Sequence, residues 1–289
     1  TLADPRGPSP RRRLTHPRRS PRLARVMASS ARGVVRVAPR SQGFIMAGHS
    51  KWANIKHRKG RQDEKRQKVF SKLIRELTVA AKLGGSEPGD NPRLRLALDK
   101  ALGANMPKDT IERAVARGSG DQESENLEET IYEGYGPNGV AIIVETLTDN
   151  KNRTVAEVRH AFSKFGGSLG TDGSVSYLFT KIGQIVVESN NEEKIFDLSV
   201  SNGAEEVEKG EDNNFIISVE VEEFHNLKQV LEDNEIKIAE YELLMRASNS
   251  IELDVESSEK VINLLENLED LDDVQGVHSN AEFSEGSFS

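Results

Sequence analysis

The chain contains no cysteine, which excludes a disulfide framework, a thiolate nucleophile and any cysteine-based zinc or iron–sulfur site, and suits a reducing compartment. It also lacks long apolar runs. The longest is Val140-Ala141-Ile142-Ile143-Val144, far short of the roughly 18 residues that a membrane-spanning helix needs, so a transmembrane protein is excluded. Aromatic residues make up only 5% and there is one Trp. The six histidines (His16, His49, His57, His160, His225 and His278) fall in no H-E-x-x-H or paired-ligand spacing, and no Ser sits in a G-x-S-x-G elbow. The segment Gly134-Tyr135-Gly136-Pro137-Asn138-Gly139 matches G-x-G-x-x-G letter by letter. A dinucleotide fingerprint must follow a strand and open a helix, whereas this one opens a strand, and Pro137 removes an amide that a phosphate cradle needs. It reads as a turn. Neither metal nor cofactor nor enzymatic activity is expected.

What is present is a strong separation of charge, hidden in a net charge of -8 over 289 residues with 30% charged and a mean hydropathy of -0.56. Residues 1–45 hold eleven Arg, no Lys, a single acid (Asp4) and six of the ten prolines. Such a composition cannot bury enough apolar surface to offset the entropy of ordering, so disorder is expected. The segment reads as an Arg-rich transit peptide, a nucleic-acid-binding tail, or translated sequence upstream of Met46. Residues 46–120 carry 17 Lys and Arg against 8 Asp and Glu, whereas 121–289 carry 11 against 38. A polyanion is drawn to the front and repelled by the back, so nucleic-acid contact should be one-sided.

Residues 46–126 read as a basic helical domain. Val69, Phe70, Leu73, Ile74, Leu77, Ala80 and Ala81 recur at three- and four-residue spacing from Arg61 onward, which predicts an amphipathic helix ending near Gly84-Gly85. Arg61, Lys65, Lys68, Lys72 and Arg75 fall opposite that stripe as a basic ridge. A charge run of this kind is read either as a phosphate-contacting surface or as an ordinary solvated face. Asp90-Asn91-Pro92 and Asn105-Met106-Pro107 predict two further helix starts, the second stopped by Gly118, with Ser119–Asn126 as an acidic linker. Lys108 sits in a contact loop or a plain helix start. Ahead of the long helix, Trp52 lies among Lys51, Lys56, Arg58 and Lys59. An aromatic interleaved with cations can stack on a base while the cations meet phosphates, or the Trp can anchor the arm on the bundle.

Beyond residue 127 the period changes. Strands are expected at 130–136, 139–147 and 174–180, with a helix over 153–165. From 183 to 245 the order is β-α-β-β-α-β, the ferredoxin-like order. Strand 250–255, helix 257–268 and strand 274–279 then supply the half that the first unit lacks. The fold class is therefore α+β: a helical N-terminal bundle followed by two ferredoxin-like α/β units, one (182–246) inserted in the other (127–181 plus 247–285).

Met46-Ala-Gly-His-Ser-Lys-Trp52 with Ile55-Lys56 and Lys59, Phe70–Leu77, Asn91–Leu94, Met106-Pro-Lys108, Ile131–Pro137, Asp149–Thr154 and Gly170–Val175 together resemble the motifs of the YebC/PmpR family of probable transcriptional regulators. The resemblance runs from Met46 to about Glu282. It implies a helical domain followed by two α/β domains, and a nucleic-acid-binding regulator acting on DNA. Related members, including a mitochondrial translational activator, imply the alternative of a ribosome-associated factor on ribosomal RNA. A protein–protein scaffold working through the acidic half is a third class. The bacterial style of the motifs favours the cytoplasm, or the mitochondrion if residues 1–45 are a transit peptide.

Overall fold

The computed structural model describes residues 62–120, 127–210 and 213–283, with side chains of the first helix from Gln67 onward. The expectations for residues 1–45, for the arm at 48–61 and for most of the acidic linker lie outside the described residues.

Helix α1 (Gln62–Gly84) forms where apolar residues repeat at helical spacing, and it ends as predicted: Gly85 takes φ 86°, a left-handed value that favours glycine, and its amide bonds the carbonyl of Ala81 at 2.9 Å. Helix α2 (Pro92–Gly103) has Asn91 as N-cap and proline at its first position. The Asn91 side chain accepts from the Leu94 amide at 3.0 Å and donates to the Ala80 carbonyl at 2.8 Å, so one buried residue starts α2 and fastens it to α1. Helix α3 (Lys108–Gly118) crosses α1 so closely that a Cβ on Gly118 would strike the Thr78 carbonyl and the Ala81 methyl. Leu77, Ala80, Leu94, Ala97, Ala101, Ile111 and Ala114 form the bundle core. Val69, placed on the apolar stripe by its spacing, is 44% exposed.

The first sheet has the order β3-β1-β2-β9, antiparallel at every pair, from β1 (Glu128–Tyr135), β2 (Ala141–Thr148), β3 (Ser168–Leu169) and β9 (Val274–Ser279). Of residues 134–139, Gly134 and Tyr135 end β1 and Gly136–Gly139 form the turn that leads into β2, with Asn138 at φ 60° and Gly139 at φ 77°. Helix α4 (Lys151–Lys164) leaves β2 and helix α7 (Val255–Glu269) precedes β9. Both pack on one face, where Val140, Ile142 and Val144 meet Val158, Phe162, Val261 and Leu264. The other face buries Ala141 and Ile143 under Val175, Leu178 and Phe179. Covered on both sides, β2 is the continuous apolar run that the sequence shows.

The second sheet comprises β4 (Phe179–Glu188), β5 (Ala204–Lys209), β6 (Asn214–Val219) and β7 (Lys237–Ala247), in the order β5-β6-β4-β7 and antiparallel throughout. Helices α5 (Glu192–Ser201) and α6 (Phe224–Asp233) connect its strands, and this is the ferredoxin-like arrangement.

Two expectations need correction. The strand expected at 174–180 is a 3-10 turn over Ser176–Leu178, followed by the start of β4. One strand runs through residue 181 because Phe179–Lys181 pairs with Met245–Ala247. The strand expected at 250–255 is shorter, β8 (Ile251–Leu253), and pairs in parallel with β10 (Ala281–Phe283) in a separate two-stranded sheet. Spacing alone cannot reveal either pairing, because both are made between residues distant in the chain.

Candidate nucleic-acid interface

Lys68, Lys72 and Arg75 of the basic ridge reach the C-terminal end of α7. Lys68 Nζ bonds the Asp270 carbonyl at 3.1 Å and its carboxylate at 3.4 Å. Lys72 Nζ bonds the Glu269 carbonyl at 2.7 Å, and Arg75 bonds the Asp272 carbonyl and the Asp273 carboxylate, the latter at 2.9 Å. The reason is electrostatic. Helix α7 ends in Glu266, Glu269 and Asp270 with no basic residue in its last turn, so its exposed carbonyls and negative dipole end lack compensation from their own helix. Three cations of α1, spaced i, i+4 and i+7, supply it from outside. The expectation of a solvated or phosphate-facing ridge is corrected to that extent: Lys68 stays exposed beside Asp270, whereas Lys72 and Arg75 are half-buried in the contact. Lys65 lies on α1 in the undescribed stretch of side chains. Lys51, Trp52, Lys56, Arg58, Lys59 and Arg61 lie outside the described residues. Lys108 is exposed at the first residue of α3.

Arg75 leads to a residue that sequence reasoning missed. Asp273, only 1% exposed, accepts from Thr148 Oγ1 at 3.0 Å, Thr154 Oγ1 at 2.7 Å and Arg153 Nη2 at 2.7 Å besides Arg75. Burial alone would raise its pKa, but the Thr154, Arg153 and Thr148 hydrogen bonds and the charge of Arg75 hold it below the ordinary value. The Asp149–Thr154 motif thus serves to cap α4, through Asn150, and to hold Asp273. No local signal marks Asp273 itself, which follows Asp272 in an acidic stretch. Glu133 is similar. Its carboxylate accepts from the amides of Gly173, Val175 and Ser176 at 2.7–2.8 Å, so the glycine-rich loop wraps an internal carboxylate. Burial opposes that charge and the three amides outweigh it, leaving the pKa lowered.

Between the bundle and the two sheets lies a groove of about 960 Å³, lined by residues that include Val69, Arg93, Ile131, Lys181, Phe224 and His278. Inside it, the Met245 amide approaches His278 Nδ1 at 3.5 Å, and His278 Nε2 lies 3.1 Å from a Glu145 carboxylate oxygen. Burial would push Glu145 up, yet the His278 bond and the Lys181 ammonium hold it at about 2. The cations and carboxylates here neutralise one another, as in the Arg93–Glu76 pair at 2.7 Å and the Lys228–Asp99 pair at 3.3 Å. Among the described residues there is no group of three or more His, Asp and Glu arranged to hold a metal ion, and no helix is long and apolar enough to cross a membrane.

The family described as "TACO1/YebC protein N-terminal domain" matches residues 50–121, and "TACO1/YebC second and third domain" matches residues 127–281. A probable transcriptional regulatory protein of Pseudomonas putida is 58% identical over 241 residues, covering 83% of this chain and 97% of that protein. Its counterpart in Nitrosococcus oceani is 55% identical with the same coverage. Among solved structures, that of a conserved hypothetical protein from Aquifex aeolicus has a TM-score of 0.73 and 47% identity, covering 81% of this chain and 98% of that one.

Proposed function

Because the chain belongs to the TACO1/YebC family, we propose that it is a non-enzymatic nucleic-acid-binding regulator, with DNA and transcription as the first reading. The observation that carries this is the division of charge: 17 Lys and Arg against 8 acids over residues 46–120, and 11 against 38 beyond. A polyanion meets the front of the chain and is repelled by most of the back. The name of the Pseudomonas and Nitrosococcus relatives, probable transcriptional regulatory protein, supports the choice of DNA. Since Lys72 and Arg75 are taken up by α7, the contacts fall to Lys51, Trp52, Lys56, Arg58, Lys59, Arg61 and Lys65, joined by the exposed Lys68 and Lys108. The bacterial relatives support a place in the cytoplasm.

The second reading is ribosomal RNA and translation. It is favoured by the engagement of α1, since a helix whose cationic face grips α7 does not offer that face to a major groove. Single exposed cations and an aromatic suit a folded RNA surface recognised by shape and stacking. Ultraviolet crosslinking in cells, followed by sequencing of the recovered nucleic acid, separates the two. Promoter DNA supports the first reading and ribosomal RNA the second, whereas recovery no greater than from an uncrosslinked control overturns both.

A further inference from the structure

Over residues 127–283, eight of the eleven Lys and Arg pair with carboxylates and Lys194 bonds the Asn234 carbonyl. Nine have an oxygen partner, as in Lys181 with Glu145, Lys209 with Glu192, Arg246 with Glu206 and Lys260 with Glu256. The other two, Arg159 and Lys164, lie on the same helix. Arg159 has no hydrogen bond or ion pair among the described residues, and Lys164 rests only on the Phe165 ring, 5.1 Å from its centroid.

Helix α4 buries Thr154, Val158, Ala161 and Phe162 against the first sheet and turns Asn152, Ala156, Arg159, His160, Ser163 and Lys164 to solvent. No carboxylate stands among these six residues. The helix holds four of the eleven cations of the acidic half within its fourteen residues, against one acid, Glu157. Its macrodipole accounts for a lysine in the last turn but not for Arg159 and His160 further back. The surface also adjoins the basic half of the chain: Arg153, in the first turn of α4, and Arg75 of α1 share Asp273.

We propose that the exposed face of α4 is a second nucleic-acid contact, in which Arg159 and Lys164 meet backbone phosphates and Asn152, His160 and Ser163 donate hydrogen bonds beside them. Free cations that outnumber the single carboxylate of their helix, Glu157, have the chemistry of a phosphate-tracking surface, and the acidic residues elsewhere in this half confine a polyanion to it. This site rests on the nucleic-acid reading above and extends it from the front of the chain to one helix of the acidic half.

The test is a salt titration of binding by the full chain, with a labelled mixed-sequence DNA duplex and the same sequence as single-stranded RNA as probes. Parent, Arg159→Gln/Lys164→Gln and the charge-keeping Arg159→Lys/Lys164→Arg are compared with a control, Lys194→Gln/Lys237→Gln, in the inserted unit. Removing one cation–phosphate pair reduces the slope of log K against log salt by about 0.7–0.9. The Gln pair should therefore reduce it by about twice that, the charge-keeping pair should restore it, and the control should match the parent, all at an unchanged melting temperature. A parent that binds while the Gln pair equals it in slope and affinity overturns the α4 contact alone. A parent that binds neither probe overturns the nucleic-acid reading and this inference with it. Loss of an acidic protein partner from the Gln pair, with nucleic-acid affinity intact, also overturns the contact.

Discussion

Asp273→Asn would keep the shape of the side chain and remove the charge that Arg75 and Arg153 share. Removing a charged acceptor from a buried network costs about 1–3 kcal/mol, and the lower half of that range applies because Arg153 is partly solvated. The expected loss is read from urea denaturation midpoints at neutral pH. Acid should act on the same carboxylates. The folded-state pKa of Glu145 is lowered from 4.5 to about 2, so its stabilisation is complete above pH 4.5 and fades as pH falls toward 2. Asp273 and Glu133, also lowered, lose theirs in the acid range too. Stability should thus drop steeply below pH 4.5, and Glu145→Gln should flatten the first part of that drop, measured as unfolding free energy against pH. A profile for Glu145→Gln that parallels the parent's would contradict the assignment. None of these three carboxylates stands out by spacing. Each gains its role from partners outside its own strand or turn, such as Gly173–Ser176 for Glu133, and single-residue chemistry in the sequence carries no record of that.

At the scale of elements, start and stop signals were well written in the chain. Asn91-Pro92 began α2, Gly118 closed α3 and Gly85 closed α1, because caps act within one turn and leave a local imprint. The orientation of α1 was not legible: the stripe of cations was visible, but the helix end it covers comes about two hundred residues later. The docking of α1 on α7 predicts that Arg75→Gln lowers the melting temperature together with any change in nucleic-acid binding, whereas a purely solvated ridge residue would leave stability within about 0.5 kcal/mol. Scanning calorimetry distinguishes these outcomes. The close crossing of α1 and α3 makes Gly118→Ala a second element-scale test. The added methyl meets backbone, which cannot swing aside, and overpacking of this kind costs about 1–3 kcal/mol. An unchanged denaturation midpoint would show that the crossing opens freely.

For the molecule as a whole, the β-α-β-β-α-β order made the inserted unit legible, since all its pairings fall within one run of chain. Phe179 and Ala247 face each other across β4 and β7. A chain in which a short glycine linker joins these two residues should therefore keep the α4–α7 and bundle cores and unfold cooperatively, with a smaller denaturant slope in keeping with its smaller buried surface. It should be less stable than the parent, because Leu96 of α2 packs on the second-sheet core and Asp99 pairs with Lys228. A gradual, non-cooperative transition would refute the autonomy of the remainder. The partners of the α1 ridge also set an order in time. Lys72 and Glu269 are 197 residues apart, and Lys68 and Asp270 are 202 apart. At about 5–20 residues per second of synthesis, roughly 10–40 s separate the emergence of α1 from that of the oxygens that will hold it. Throughout that interval the nascent chain carries Lys68, Lys72 and Arg75 with no carbonyl of α7 yet made, so the grip on the end of α7 closes only once the last stretch of the polypeptide has emerged.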